Sequence, residues 1–222
     1  MNRVRLQGRR LMHVIEVHRA QVGDELCVGV LNDRMGVGRV TQLDPSVLEM
    51  EVKLDQAPLP KLPLTLILAL PRPKVLKRVL RAASAMGVKR IILINSFRVE
   101  KSFWQSPVLS DEGLKEQLFI GLEQAKDTVL PEVLLRPLFK PFVEDELPGL
   151  IKGALSLVAH PNASAPCPRD SKQPVVLAIG PEGGFIPYEI ERLVSCGFMP
   201  VQIGGRILSV ETAVPALVSK LF

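Results

Sequence analysis

The chain has 222 residues, 47% hydrophobic and 23% charged, with a formal net charge of +5. This composition can bury a full core, which excludes an intrinsically disordered protein. The three cysteines, Cys27, Cys167 and Cys196, form no C-x-x-C pair. They argue for a reducing compartment and against a disulfide framework. The three histidines, His13, His18 and His160, show no zinc spacing, so no metal is expected. No apolar run approaches the ~18 residues needed to span a bilayer. The basic N-terminus lacks the apolar core of a signal peptide. A soluble, cytoplasmic protein is expected, and the positive charge favours an anionic partner.

Residues 1–57 read as a small β unit. Arg9 to Arg19 spaces Leu11, Val14 and Ile15 as a short helix, which Gly23-Asp24 should close. Short strands are expected at Glu25–Leu31, Gly38–Thr41 and Val47–Val52, separated by turn residues. Closely spaced strands of this length suggest a small barrel. Arg3, Arg5, Arg9, Arg10 and Arg19 make this end basic, either as a solvated face or as phosphate contacts to RNA. Residues 58–63 hold three prolines and read as a linker.

Residues 64–222 alternate strand and helix patterns, which predicts an α/β fold with a parallel sheet. Strands are expected at 64–70, 90–94, 133–139, 155–159 and 200–203. A helix over 74–86 buries Val75, Leu76, Val79, Leu80, Ala83 and Met86, and turns Lys74, Lys77, Arg78 and Arg81 outward. That basic stripe is a solvated face unless it borders a ligand site. Further helices are expected over 113–128 and 142–154. Trp104, in a loop with Arg98 and Lys101, suits either base stacking or the core. Residues 162–174 read as a mobile loop. Val214, Leu217, Val218 and Leu221 form an apolar stripe on a final helix, to be covered by the core or by a second subunit.

Two glycine loops stand out. Val175 to Ile179 is a buried strand that runs into Gly180-Pro181-Glu182-Gly183-Gly184-Phe185, with Pro187 opening a helix. The strand at 200–203 runs into Gly204-Gly205-Arg206-Ile207-Leu208-Ser209-Val210-Glu211-Thr212-Ala213. Ligands of open α/β sheets bind just beyond the carboxyl ends of strands. The residues by themselves indicate a ligand site built from loops 159–161, 180–185 and 203–209. No phosphate-loop, dinucleotide or nucleophile-elbow motif is present.

Those two loops, G-P-E-G-G-F and G-x-R-I-L-x-x-E-T-A, resemble the RsmE family of SPOUT methyltransferases. Loosely, His13 to Asp24 also resembles the opening of that family's N-terminal barrel. The resemblance implies a SPOUT alpha/beta-knot with a deep C-terminal trefoil knot and a PUA-like N-terminal β-barrel. Family members carry a strand before the residue-9 helix, so this barrel is expected to be incomplete at its start. The implied reaction is S-adenosyl-L-methionine-dependent methylation of N3 of a uridine in 16S rRNA of the small ribosomal subunit, by a homodimer.

The resemblance further implies cofactor contacts from Ala159, His160, Ile179, Gly180, Pro181, Glu182, Gly183, Ile203, Gly204, Gly205, Ile207 and Leu208. Arg206, Glu182 and Glu211 are the implied catalytic group. Glu182 also suits loop bracing, and Glu211 a helix N-terminal charge. Arg9, Arg10, Arg19, Lys77, Arg78 and Arg81 are the RNA-binding candidates. One departure stands out: the family reads R-I-L-R-T-E-T-A, and Ser209 here replaces the second arginine. Action on another RNA such as tRNA, or RNA binding without catalysis, are the alternatives this leaves open.

Overall fold

The computed structural model describes residues 2–222, which divide into two units. The first comprises the residues up to Leu59 together with Lys126–Val129, and the second Pro60–Ala125 with Leu130–Phe222.

The first unit opens with strand β1 (Asn2–Leu6), followed by α1 (Gly8–His13), which continues as a π turn over Val14–His18. Then come β2 (Glu25–Gly29), β3 (Met35–Leu43) and β4 (Leu48–Gln56). The four strands form an antiparallel sheet in the order β1-β4-β3-β2. Leu11 and Val14 of the helical segment pack on Val40, Leu48, Met50 and Val52 of β3 and β4. The leading strand thought to be missing is therefore present, with Asn2 in register with Val52 and Leu6 with Leu48. Alternation of Val4 and Leu6 with Arg3 and Arg5 puts one apolar face on the core. Arg3 and Arg5 meet Glu51 and Glu49 at 3.6 and 4.0 Å, surface ion pairs that contribute little. The helical segment ends at Arg19, in left-handed backbone at φ 51°, and not at Gly23-Asp24. Lys126–Val129 joins this unit because Thr128 accepts from Asn32 N–H through its carbonyl and donates its hydroxyl to the Asp33 carbonyl.

The second unit runs β5 (Leu64–Ala69), α2 (Pro73–Ala85), β6 (Arg90–Ile94) and α3 (Asp111–Ala125). It continues with β7 (Glu132–Arg136), α4 (Phe139–Pro141), a π turn over Phe142–Glu146, and α5 (Leu147–Leu150). It ends with β8 (Leu155–Ala159), β9 (Ala165–Pro166), β10 (Val175–Ile179), α6 (Pro187–Ser195), β11 (Met199–Gln202) and α7 (Val210–Leu221). Its seven strands pair in parallel in the order β7-β6-β5-β10-β8-β11-β9. β10 is buried at all five positions, as a central strand covered on both faces must be.

Three expectations change and one alternative is decided. The helix at 113–128 stops at Ala125, because Lys126 turns left-handed at φ 52°. The helix expected at 142–154 begins at Phe139 and has ended by Leu150. The segment 162–174 is tied down rather than loose. Ala165–Pro166 adds an edge strand to β11, and Cys167 and Ser171 N–H groups donate to the carbonyls of Gln202 and Leu221, both at 2.7 Å. Finally, the α7 stripe of Val214, Leu217, Val218 and Leu221 lies in this unit's own core. That face is therefore no reason to expect a second subunit.

Candidate functional site

Strands β10, β8 and β11 are neighbours, so their carboxyl ends bring three loops to one place. The loops enclose a cavity of about 320 Å³, at the small end of the range for small-molecule sites. Loop 159–162, the glycine loop from Ile179 to Phe185, and the segment from Val201 to Leu208 line it, with Val210, Ala213 and Leu217 of α7 closing the apolar side. Of the residues expected to hold cofactor, Ala159, His160, Ile179, Gly180, Pro181, Glu182, Gly183, Ile203, Gly204, Ile207 and Leu208 line the cavity. Gly205 does not.

The first glycine loop is braced from several directions. A Cβ on Gly180 would lie 2.9 Å from the Phe185 nitrogen, so only glycine lets the chain turn back on itself here. Gly184 N–H donates to the Pro181 carbonyl at 2.8 Å. The Glu182 carboxylate accepts from the backbone N–H of Arg72 at 3.0 Å and lies 3.8 Å from the Arg72 guanidinium. The Arg98 guanidinium donates to the Gly183 carbonyl. Below the loop, Glu189 is 3% exposed and accepts from Ile186 N–H at 3.0 Å and Phe97 N–H at 2.7 Å. One buried carboxylate thus caps the start of α6 and holds the loop after β6.

The second glycine loop is dressed differently. Gly204, Gly205, Arg206, Ile207, Leu208 and Ser209 are all exposed, and Gly204 has φ 150°. Arg206 lines the cavity and makes no ion pair among the described residues. Glu211 is not on the cavity wall. It faces Arg78 of α2 at 3.6 Å, which ties α7 to α2. Both carboxylates therefore hold arginines, and Glu182 alone of the two is on the wall.

The residues suit an adenosyl group. The wall is largely apolar, with Ala159, Ile179, Val201, Ile203 and Leu217 available to a flat base. Gln202 also lines the cavity, and its buried side-chain oxygen has no hydrogen-bond partner. An unsatisfied buried acceptor costs about 1–3 kcal/mol until a donor meets it, so this atom points to a ligand carrying N–H or O–H groups.

Of the basic residues, Arg9, Arg10 and Arg19 are exposed in the first unit. Lys77, Arg78 and Arg81 lie along α2, where Arg81 donates to the buried Gln117 at 2.9 Å. The N-terminal half of α2 does border the loops, through Arg72 with Glu182 and Arg78 with Glu211. Sequence reasoning did not single out Arg72, Gln202 or Glu189, and it noted Arg98 only as one cation of a loop. Glu189 carries a local signal, as the acidic residue two after Pro187 that caps Ile186 N–H. Its other partner, Phe97, and the partners of the rest are tens of residues away or absent, so no local spacing marks those contacts. Trp104, weighed as a stacking residue, is half-buried and donates to the Asn95 side chain at 2.9 Å. Among the described residues no cluster of three metal-ligating side chains occurs, and no helix is long and apolar enough to cross a membrane.

The profile of the RNA methyltransferase domain family matches residues 57–221. A ribosomal RNA small subunit methyltransferase E from Synechocystis is 30% identical over 217 residues, covering 95% of this chain and 69% of its own length. The protein of the same name from Treponema pallidum is 28% identical over 211 residues, covering 92% of this chain and 79% of its own. Among solved structures, ribosomal RNA small subunit methyltransferase E from Neisseria gonorrhoeae bound to S-adenosyl methionine superposes with a TM-score of 0.77. At 20% identity, with 98% of this chain and 90% of that one covered, it speaks for a common fold.

Proposed function

The chain belongs to the RNA methyltransferase family, of the small subunit methyltransferase E kind, and we propose that it methylates N3 of a uridine in 16S rRNA. The methyl donor in this reading is S-adenosyl-L-methionine. The observation that carries it is the single cavity formed by three loops at the carboxyl ends of adjacent parallel strands, with a free arginine at its edge. The reading includes a C-terminal trefoil knot, a PUA-like barrel built on the four-stranded unit, and a homodimer working in the cytoplasm on the small ribosomal subunit. Arg9, Arg10 and Arg19, with Lys77 and the exposed parts of Arg78 and Arg81, provide its phosphate contacts.

When bound, the cofactor supplies an already activated sulfonium methyl group. The work of the chain is to orient and to manage charge. Gly180, Gly183 and Gly204 would let backbone approach the adenosyl group, and the unpartnered Gln202 side-chain oxygen would accept a hydrogen bond from it. Uracil N3 must lose its proton, which leaves negative charge on the flanking carbonyl oxygens. Arg206, unpaired at the cavity edge, stabilises that charge. Glu182, the carboxylate on the wall, takes the N3 proton, while Arg72 holds it in place. Glu211 serves at one remove, holding Arg78.

The test is incubation with radiolabelled S-adenosylmethionine and unmodified small ribosomal subunits, followed by nucleoside analysis. Label in 3-methyluridine is expected. Label in another nucleoside, or none from protein that binds the cofactor, overturns the assignment.

A further inference from the structure

The segment between β6 and α3 holds three aromatic residues, and the fold packs Phe103 and Trp104 against the core but treats Phe97 in the opposite way. Trp104 is half-buried, packs against the core and spends its N–H on Asn95. Phe97 is 78% exposed. Leaving an aromatic ring in water forgoes a large part of its burial energy, so the ring is available to something else.

Disorder does not explain the exposure, because the backbone on both sides of the ring is pinned. Phe97 N–H donates to the buried Glu189 carboxylate at 2.7 Å, and the next side chain, Arg98, is anchored on the Gly183 carbonyl. Asn95 N–H donates to the Arg136 carbonyl at 3.1 Å, and Val99 N–H to the Ser96 carbonyl at 3.1 Å. Glu189 and Gly183 belong to the cavity's own loop and to the helix that follows it. The backbone that carries the ring is therefore fixed at the cavity end of the sheet. Arg98 itself lines the cavity, and Lys101, four residues after Phe97, is exposed. An exposed aromatic ring on fixed backbone, with cations one and four residues on, suits an unpaired nucleotide, with the ring stacking the base and the cations meeting phosphate.

We propose that Phe97, flanked by Arg98 and Lys101, is a stacking platform for an unpaired base of the RNA substrate beside the cavity. The proposal rests on the RNA reading above, and it assigns the binding role to Phe97 rather than Trp104. Binding energy of this kind holds substrate and transition state alike, so it raises affinity without raising kcat.

Replacing Phe97 with tryptophan turns the platform into its own reporter. Titration of Phe97→Trp with oligouridylate should quench its fluorescence saturably, whereas the parent protein, with only the half-buried Trp104, changes little. Phe97→Ala should weaken small-subunit RNA binding by about 5- to 100-fold and raise KM to match, with kcat and S-adenosylmethionine affinity within twofold. Absence of quenching, or RNA binding by Phe97→Ala equal to the parent, overturns the platform. A changed sedimentation coefficient for Phe97→Ala overturns it as well, by assigning the ring to a contact with a second copy. Methyl transfer by the parent protein is scored alongside. Transfer without quenching removes the platform and leaves the enzyme, while quenching without transfer removes the reaction and leaves the platform.

Discussion

The two glycine loops line one cavity at the end of one sheet, on either side of β8, yet they are held in opposite ways. The loop after β10 is gripped by Arg72, Arg98 and its own hydrogen bonds, and it closes over the buried Phe185. The loop after β11 exposes six residues in a row, and at its end the Ser209 and Thr212 hydroxyls pair at 3.1 Å. The difference separates two tasks. A wall that must present backbone groups in fixed positions is preorganised, which lowers the entropy lost on binding. A segment that carries a free cation toward a large substrate leaves its side chains in solvent until that substrate arrives.

The sharpest way to break the comparison is Arg206→Ala. If this side chain acts only on developing charge, methyl transfer should fall by about 10²–10³-fold, as when one charge-stabilising donor is lost elsewhere. Calorimetry should find cofactor affinity little changed. Equal losses in both would make the second loop part of the fixed wall. Next in size is the pair Gly180→Ala and Gly204→Ala. The first forces a Cβ to within 2.9 Å of the Phe185 nitrogen, so stability should drop by about 1–3 kcal/mol and cofactor binding should weaken. The second meets open space but strains a residue at φ 150°, and should cost about 1 kcal/mol, read by denaturant midpoint.

Glu182→Gln should cost little stability, since the Arg72 ion pair contributes about 0–1 kcal/mol, but should slow methyl transfer by about 10²–10⁴-fold if the carboxylate takes the N3 proton. Its pH–rate profile is the discriminating measurement. Loss of the acidic limb assigns Glu182 to proton transfer, and an unchanged profile leaves it as a brace. Smallest is a labelling experiment. Burial raises the Cys167 thiol above its ordinary range, opposed in part by Lys220, so at neutral pH it is protonated and hidden. Its N–H is tied to Gln202 at the root of the second loop. A thiol reagent should modify the exposed Cys27 at once and Cys167 slowly, and S-adenosylmethionine should slow Cys167 further. Fast labelling of both would mean that the root of the second loop opens as readily as its tip.

Much of this is legible in the sequence alone. β5, β6, β8 and β10 appear as short apolar runs because a parallel strand covered on both faces has few polar positions. The loops that line the cavity were visible because two glycine turns follow two such runs, where one alone suits an ordinary tight turn as well. Gly180, Gly183, Gly204 and Arg206 followed from that pattern and from the family resemblance. The misses have a different physics. Lys126 and Arg19 end their helices in left-handed backbone without glycine, which composition does not announce. β1 was overlooked because its apolar and basic residues alternate over only five positions.

Local pattern thus carried the elements, their order, and the glycine loops at strand ends, because burial and turn chemistry act on neighbours in the chain. Pairing across the fold lay beyond it. That Glu182 holds Arg72, that Glu189 reaches Phe97 across 92 residues, and that segment 165–171 is laced to β11 and the end of α7 depend on which elements the sheet order makes adjacent. The opposite fates of Phe97 and Trp104, seven residues apart, were settled the same way. Exposure belongs to the packed surface, and no window of sequence contains that surface.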